Sequence, residues 1–152
     1  MEQLNIPIAA LLVNSLNAGS YLFGSFVSAP AIEQLCKDET EADAVVLKGF
    51  FPAWWPHGAK LMVPLQLASS AINAFQFYET QDPMWAAALA CPFANLMWTK
   101  LVMMEDIKNL MQAKKLSNQT LFITARRFCA THHLRTGIAL AGAFLVAYLL
   151  HA

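Results

Sequence analysis

Apolar residues are concentrated in long runs that carry almost no charge. The first three runs cover residues 6–27, 61–78 and 84–104, and Lys100 is the only charged side chain within them. Runs of about 20 apolar residues are typical of helices that cross the hydrocarbon core of a membrane. The sequence therefore predicts transmembrane helices at these three places.

The fourth run, residues 136–150, is uncharged but too short to cross a membrane alone. It reaches the required length of about 20 residues only if the residues from 131 onward enter the membrane with it. We therefore predict one integral membrane domain, residues 1–152, with four spans at about residues 6–28, 60–79, 84–104 and 131–151.

The connections complete the predicted fold. Residues 31–57 begin with a polar stretch and end in an aromatic cluster from Phe50 to Trp55, and Trp side chains favour the lipid headgroup level. This pattern predicts an interfacial loop or lid after helix 1. Residues 105–118 are polar and predict a short cytoplasmic helical segment before helix 4. The predicted fold class is all-α, a transmembrane four-helix bundle.

Composition agrees with membrane embedding and excludes other classes of protein. Hydrophobic residues make up 57% of the chain and charged residues 13%, with a mean hydropathy of +0.43. A soluble protein needs more charge to cover its exterior, and a disordered chain has far fewer apolar residues. The formal net charge of +0 offers no basic excess that would attract nucleic acid.

The basic residues are sorted along the chain. All 10 Lys and Arg lie within residues 29–60 or 100–135, and these two stretches share one face of a four-span topology. By the positive-inside rule this face is cytoplasmic. Both termini of the multi-pass protein are then expected on the non-cytoplasmic side, and the sequence does not identify the organelle.

Polar side chains recur at helical spacing within three of the predicted spans. They are Gln66, Ser69, Ser70 and Asn73 in the second span, Asn14 and Asn17 in the first, and Asn95 and Thr99 in the third. Such stripes have two interpretations. They form hydrogen bonds that hold the helices together, or they line a cavity that holds a small molecule.

His132, Arg135 and Thr136 form the sharpest feature of the sequence. Their i, i+3, i+4 spacing places an imidazole, a guanidinium and a hydroxyl on one helical face, where the fourth span enters the membrane. An ionisable residue at such depth is a candidate functional residue. The alternative is that Arg135 reaches the lipid phosphates and the histidines lie at the headgroup level. A metal site needs further ligands, such as His57, and the sequence leaves its existence open.

Four stretches of the chain, in order and spacing, match a pattern known from one family. They are Asn17–Pro30 at the end of the first helix, Gly58–Pro64 at the start of the second, Trp98–Leu110 at the end of the third, and His132-Leu134-Arg135-Thr136 opening the fourth. Together they resemble the anthrone oxygenase-like family of small four-span membrane proteins. The His-x-x-Arg-Thr element is the distinctive part of this resemblance.

The resemblance implies that an anthrone-type aromatic polyketide is oxidised to a quinone, with molecular oxygen as co-substrate and no required cofactor. Removal of a proton from the anthrone methylene gives an aromatic enolate, a step that needs a base and a group that stabilises the enolate oxygen. The implied base is His132, and the implied oxyanion stabiliser is Arg135 together with Asn95 or Asn73. The implied substrate-binding residues, helped by the aromatic cluster, are Gln66, Asn73, Asn95, Trp98, Thr99 and Thr136.

Two other functions fit the same sequence. A non-catalytic accessory subunit of a larger membrane complex would use His132 and Arg135 to bind anionic headgroups or a partner. A carrier of a small hydrophobic molecule would have a cavity that opens sideways. The expected partners are membrane lipids, a small hydrophobic aromatic molecule, and other membrane subunits or further copies of this chain; nucleic acid is not among them.

Overall fold

The chain folds almost entirely into helices. The computed structural model describes residues 2–151, and the side chains of residues 6–151. Helix accounts for 92% of the structure, and residues 2–151 contain no strand. The prediction of an all-α fold is therefore confirmed.

Four long helices, α1 to α4, make up the fold, and two of them are continuous through a π-helical turn. The bounds are Glu2–Phe23, Gly24–Ser28 (π-helical) and Ala29–Leu35 for α1; Glu41–Thr80 for α2; Pro83–Trp98, Thr99–Met103 (π-helical) and Met104–Met111 for α3; and Asn118–Leu149 for α4. A short 3-10 turn, Ala113–Lys115, connects α3 to α4.

The prediction of an interfacial loop after helix 1 is wrong. Helix α1 continues past Pro30 to Leu35, and α2 begins already at Glu41. The π-helical turn just before Pro30 changes the local hydrogen-bonding register, which accommodates the missing N–H of proline. Thr40 and Asp43 then form a capping box that starts α2. The aromatic cluster consequently lies on a helix.

The helical segment predicted before helix 4 is present, but it is not separate. Met104–Met111 continues α3 directly, and α4 begins at Asn118, well before position 131. The Ser117 hydroxyl starts α4 by accepting a hydrogen bond from the N–H of Thr120 at 3.2 Å. Tertiary packing therefore extends both helices beyond their apolar runs.

Each helix packs chiefly against two others: α1 and α3 both lie against α2 and α4. We call the part of the molecule formed by residues 29–60 and 100–135 the charged end, and the part formed by residues 6–28, 61–78, 84–99 and 136–150 the uncharged end. The charged end has an apolar core that includes Phe51, Leu110, Phe122 and Phe128. Smaller apolar clusters around Trp85 and Tyr21 lie toward the uncharged end.

The uncharged end has polar side chains inside and apolar side chains outside. Its buried polar residues are Asn14, Asn17, Ser25, Ser28, Gln66, Ser69, Asn73, Gln76, Asn95 and Thr136. Large exposed apolar residues lie on all four helices and include Leu12, Leu16, Phe26, Leu67, Phe75, Phe93 and Phe144. Large exposed apolar patches are typical of surfaces that contact another protein or a membrane.

Two of the four helices are long and apolar enough to cross a membrane, judged by length and composition. They cover Ile6–Leu35 and Pro83–Met111. Of the four predicted spans, the first and the third therefore lie on helices that meet this criterion.

A buried ion pair joins α3 to α4 at the charged end. Asp106 is 0% exposed, and Arg127 Nε donates to its two carboxylate oxygens at 3.0 and 2.8 Å. A second guanidinium nitrogen of Arg127 contacts the same carboxylate. The guanidinium itself is largely exposed, so the pair neutralises a buried charge with a surface residue.

Replacement of Arg127 should therefore cost more stability than replacement of Asp106. Arg127→Ala leaves a buried carboxylate without a cation, and loss of one partner of a buried pair costs about 3–5 kcal/mol. Asp106→Asn leaves a neutral amide inside and a hydrated guanidinium outside, so we expect a smaller loss. Unfolding of the purified protein in detergent measures both. Arg126→Ala, which removes an exposed pair with Glu39 and a hydrogen bond to the Cys36 carbonyl but leaves no buried charge unpaired, is the control. Equal losses for Arg127→Ala and Arg126→Ala would contradict the prediction.

Candidate functional site

Arg135 points from α4 into the interior of the protein. Only 3% of its surface is exposed. One terminal nitrogen, Nη2, donates to the Tyr21 hydroxyl at 2.6 Å, and the guanidinium carbon lies 4.7 Å from the centre of the Tyr21 ring. Nη1 lies 3.8 Å from the sulfur of Met103. The guanidinium is thus positioned by an aromatic ring, a hydroxyl and a thioether.

No negative charge neutralises this guanidinium among the residues whose side chains are described. The three ion pairs found there involve Arg126, Arg127 and His133. Nε of Arg135 also has no hydrogen-bond partner within this part of the chain. A buried charge without a partner is costly, so Arg135 carries a positive charge that an anionic group in its neighbourhood would neutralise.

Arg135 lines a cavity of about 480 Å³ between α2 and α3. The walls are mainly apolar, and the apolar residues are Trp55, Ala59, Met62, Val63, Leu96, Met97 and Met104. The polar lining residues are Gln66, Thr99, Lys100, Lys108 and Arg135. A mostly apolar cavity with a few convergent polar groups is the usual form of a small-molecule site.

His132 is buried beside this site but does not line the cavity. It is 1% exposed, and its imidazole lies between the rings of Tyr21 and Phe128, with ring centres 5.9 and 6.0 Å away. Neither ring nitrogen has a hydrogen-bond partner within residues 6–151. The Tyr21 ring contacts both His132, the predicted base, and Arg135, which lines the cavity.

Thr136 holds α4 against α1. Its hydroxyl lies 2.6 Å from the Ser25 hydroxyl and 3.2 Å from the carbonyl oxygen of Tyr21. Ser25 in turn lies 3.1 Å from Nδ1 of His133, whose Nε2 is 3.6 Å from Glu33. The Thr136 hydroxyl is therefore fully occupied by structural hydrogen bonds.

The predicted amides also hold helices together. Asn73 on α2 accepts a hydrogen bond from Asn14 on α1 at 3.0 Å and donates to the Ala88 carbonyl of α3 at 3.1 Å. Asn95 donates to the backbone carbonyl of Arg135 at 3.1 Å, and its own side-chain oxygen has no partner among the described residues. Asn95 thus fixes the backbone of α4 at the residue that reaches the cavity.

The structure divides the predicted site residues into two groups. Gln66, Thr99 and Arg135 line the cavity, whereas Asn73, Asn95, Trp98, Thr136 and His132 do not line it and make contacts within or between helices. The residues of the aromatic cluster likewise differ in whether they line the cavity. Trp55 lines the cavity, and Phe51, Trp54 and Trp55 surround the ring of Phe128, with centres 5.0, 6.4 and 5.5 Å away.

Sequence reasoning missed Tyr21 and Gly24. Tyr21 touches both ionisable residues of the site, and Gly24 leaves space for the His132 imidazole. A signal was present, because Asn14, Asn17, Tyr21 and Gly24 follow one another at three or four residues and so share one face of α1.

The residues considered for a metal site do not come together. Within the described chain, no group of three or more His, Cys, Asp or Glu side chains is placed to hold a metal ion. His132 is buried between rings, His133 faces Ser25 and Glu33, and exposed His57 contacts the Ala53 carbonyl at 2.9 Å.

Comparisons of the chain with protein-family models, with curated proteins and with solved structures return no match.

Gly24 should tolerate no side chain, in contrast to Gly19 on the same helix. A Cβ at position 24 would lie 2.9 Å from Cε1 of His132 and closer still to Nε2, whereas a Cβ at position 19 meets nothing within 4 Å. We expect Gly24→Ala to lower the unfolding free energy by about 1–3 kcal/mol through overpacking. Gly19→Ala should be neutral or stabilising, by up to about 1 kcal/mol. Thermal unfolding in detergent measures both, and equal effects would show that the imidazole does not occupy the space at Gly24.

Proposed function

We propose that the chain is a four-helix integral membrane bundle. The support is the reversed polarity of the uncharged end, where amides and hydroxyls are buried and Phe, Leu, Ile and Val face outward. The four segments of the uncharged end carry no Asp, Glu, Lys or Arg. Lipid is the environment in which an uncharged, apolar exterior around polar packing is stable.

Buried polar residues explain why α2 and α4 are less apolar overall than α1 and α3. Gln66, Ser69, Asn73 and Gln76 lower the hydropathy of α2, yet all four side chains are buried. Arg135 does the same on α4. The outward faces of both helices are apolar, with Leu67, Phe75 and Phe144 exposed, so we infer that lipid surrounds all four helices.

The orientation follows from the basic residues of the charged end, which we place in the cytoplasm. In intact cells a membrane-impermeant maleimide should then label Gln81→Cys, in the α2–α3 turn, and should leave Lys114→Cys unlabelled until the cells are opened. The unmodified chain, with Cys36, Cys91 and Cys129, gives the background. The reverse pattern would overturn the orientation, and equal labelling of both positions in intact cells would overturn the four-span topology.

We further propose that the cavity binds a small hydrophobic aromatic molecule and acts on it as an anthrone oxygenase-like enzyme. One observation carries this proposal: a buried guanidinium without a carboxylate partner faces an apolar cavity of about 480 Å³. A guanidinium in such a place can bind a substrate oxygen and stabilise the negative charge that develops on it. We take the type of reaction from the anthrone oxygenase-like family, which the sequence resembles.

The proposed reaction converts the methylene carbon of an anthrone into a second ring carbonyl. A base removes one methylene proton, and the resulting enolate, bound through its oxygen to Arg135, reacts with molecular oxygen. Oxygen accepts four electrons in total. One of its atoms becomes the new carbonyl oxygen, and the other leaves as water with the two methylene hydrogens.

His132 is the proposed base, and Tyr21 controls its access to the substrate. Both imidazole nitrogens lack partners within the described residues, so one of them is free to accept a proton. The Tyr21 ring lies against both His132 and Arg135. Proton transfer to the imidazole from a substrate bound to Arg135 therefore requires the buried Tyr21 ring to move.

A carrier of a hydrophobic molecule is the second candidate function. The observation in its favour is that the cavity is lined in part by exposed residues, Val63 and Met97, and so opens sideways between α2 and α3. The same opening would admit an enzyme substrate from the membrane. Turnover distinguishes the two functions.

Anthrone oxidation by the wild-type protein in proteoliposomes, followed as quinone absorbance, tests the enzyme. His132→Gln should lower turnover by about 100-fold or more, which is the usual contribution of a general base. Arg135→Gln should also lower turnover by about 100-fold, because an oxyanion donor is lost.

His57→Gln, an exposed histidine on α2, is the control and should retain full activity. Unchanged turnover in His132→Gln would rule out the base assignment. Saturable anthrone binding without turnover in the wild-type protein would favour the carrier.

A further inference from the structure

Two lysines of α3 share the cavity with Arg135. Lys100 and Lys108 both line it, together with Met104, and the i, i+4, i+8 spacing places these three residues along one side of the helix. Both lysines are exposed and Arg135 is buried, so the positive charge extends from the interior of the cavity to its mouth.

The two lysines are available to a ligand. Neither forms an ion pair or a side-chain hydrogen bond among the residues that the structure describes. The nearest acidic residues in sequence are Glu105 and Asp106. Glu105 does not line the cavity, and Asp106 is engaged by Arg127. The lining of the cavity thus contains three cationic side chains and no carboxylate.

We propose that the cavity selects a hydrophobic acid: a flat polycyclic molecule with one oxygen bound at Arg135 and an ionised carboxylate or phenolate between Lys100 and Lys108. This inference rests on the proposed function, since it specifies the substrate class of the same cavity. The apolar walls bind the rings, and the lysines at the mouth attract and orient the acidic substituent.

The positions of Lys100 and Lys108 in the fold support a ligand whose acidic substituent points toward the mouth of the cavity. Lys100 ends the uncharged stretch of α3, and Lys108 lies beyond it in the charged end. An ionised group placed beside them stays at the polar boundary of the protein while the rings extend toward the uncharged end, next to Met62 and Leu96. A neutral polycycle would gain the apolar contacts alone and would leave both ammonium groups without a partner.

Binding of a charged and an uncharged probe of equal ring size tests the proposal. Anthracene-9-carboxylate and 9-(hydroxymethyl)anthracene are titrated against the protein in phosphatidylcholine nanodiscs, with fluorescence anisotropy as readout and empty nanodiscs as blank. We expect the carboxylate to bind at least about tenfold more tightly than the alcohol, because it alone pairs with the lysines. Lys100→Gln/Lys108→Gln should reduce this preference to about twofold.

Lys114→Gln/Lys115→Gln is the matched control, since it removes the same charge from the α3–α4 connection outside this cavity. This variant should keep the full preference. Equal affinity of the wild-type protein for both probes, or an undiminished preference in Lys100→Gln/Lys108→Gln, would overturn the acid selectivity and leave the proposed cavity function standing. Failure of both probes to bind saturably would instead count against the proposed function itself.

An anionic phospholipid offers the same chemistry from another source. Repetition of the titration with phosphatidylglycerol in the nanodiscs separates the two. Carboxylate binding that persists supports a polycyclic acid as the ligand. Loss of this binding in the wild-type protein, together with retention of phosphatidylglycerol that depends on Lys100 and Lys108 in native mass spectrometry, would assign the cavity to lipid and overturn the proposal.

Discussion

The hydrogen bond from Arg135 to the Tyr21 hydroxyl, at 2.6 Å, is the interaction around which the interior is organised. A guanidinium that is buried in a packed protein costs free energy unless its surroundings form hydrogen bonds with it. Tyr21 does so from α1, Met103 from α3, and Asn95 fixes the Arg135 carbonyl. These contacts bring three helices to one point, beside the cavity that Arg135 lines.

On either side of Arg135 the distribution of polar and apolar side chains between interior and surface is different. Below Arg135, in the charged end, aromatic and aliphatic side chains form a dry core under a charged surface, as in a soluble protein. Above it, in the uncharged end, amides and hydroxyls are inside and aliphatic side chains are outside. The cavity lies at the junction, with Trp55 and Lys108 from one part and Gln66 and Leu96 from the other. A ligand with both apolar rings and an ionised group suits such a junction.

Periodicity predicted several of these features. Of the predicted stripe, Gln66, Ser69 and Asn73 are buried, whereas Ser70 is only half-buried and donates to the Gln66 carbonyl of its own helix. Arg135 and Thr136 do face the interior together. The prediction that helix 1 ends near Pro30 and is followed by a loop is wrong. Pro30 follows a π-helical turn, and α2 contains Pro52, Pro56 and Pro64 without ending. Local propensity is a weak guide there because packing against neighbouring helices outweighs the loss of single backbone hydrogen bonds.

The sequence by itself determined that the chain is helical, that its charges are sorted, and that His132, Arg135 and Thr136 lie close together at one level, since these properties depend only on composition and helical period. Tertiary structure alone decided which of these residues meets a cavity. Gln66, Thr99 and Arg135 lie on the cavity wall. Asn73, Asn95 and Thr136 instead form hydrogen bonds that join helices. The Tyr21 ring lies against both ionisable residues, His132 and Arg135. The reason is physical: helical spacing fixes the face on which a residue lies, whereas the partner of that face is set by how four helices pack together.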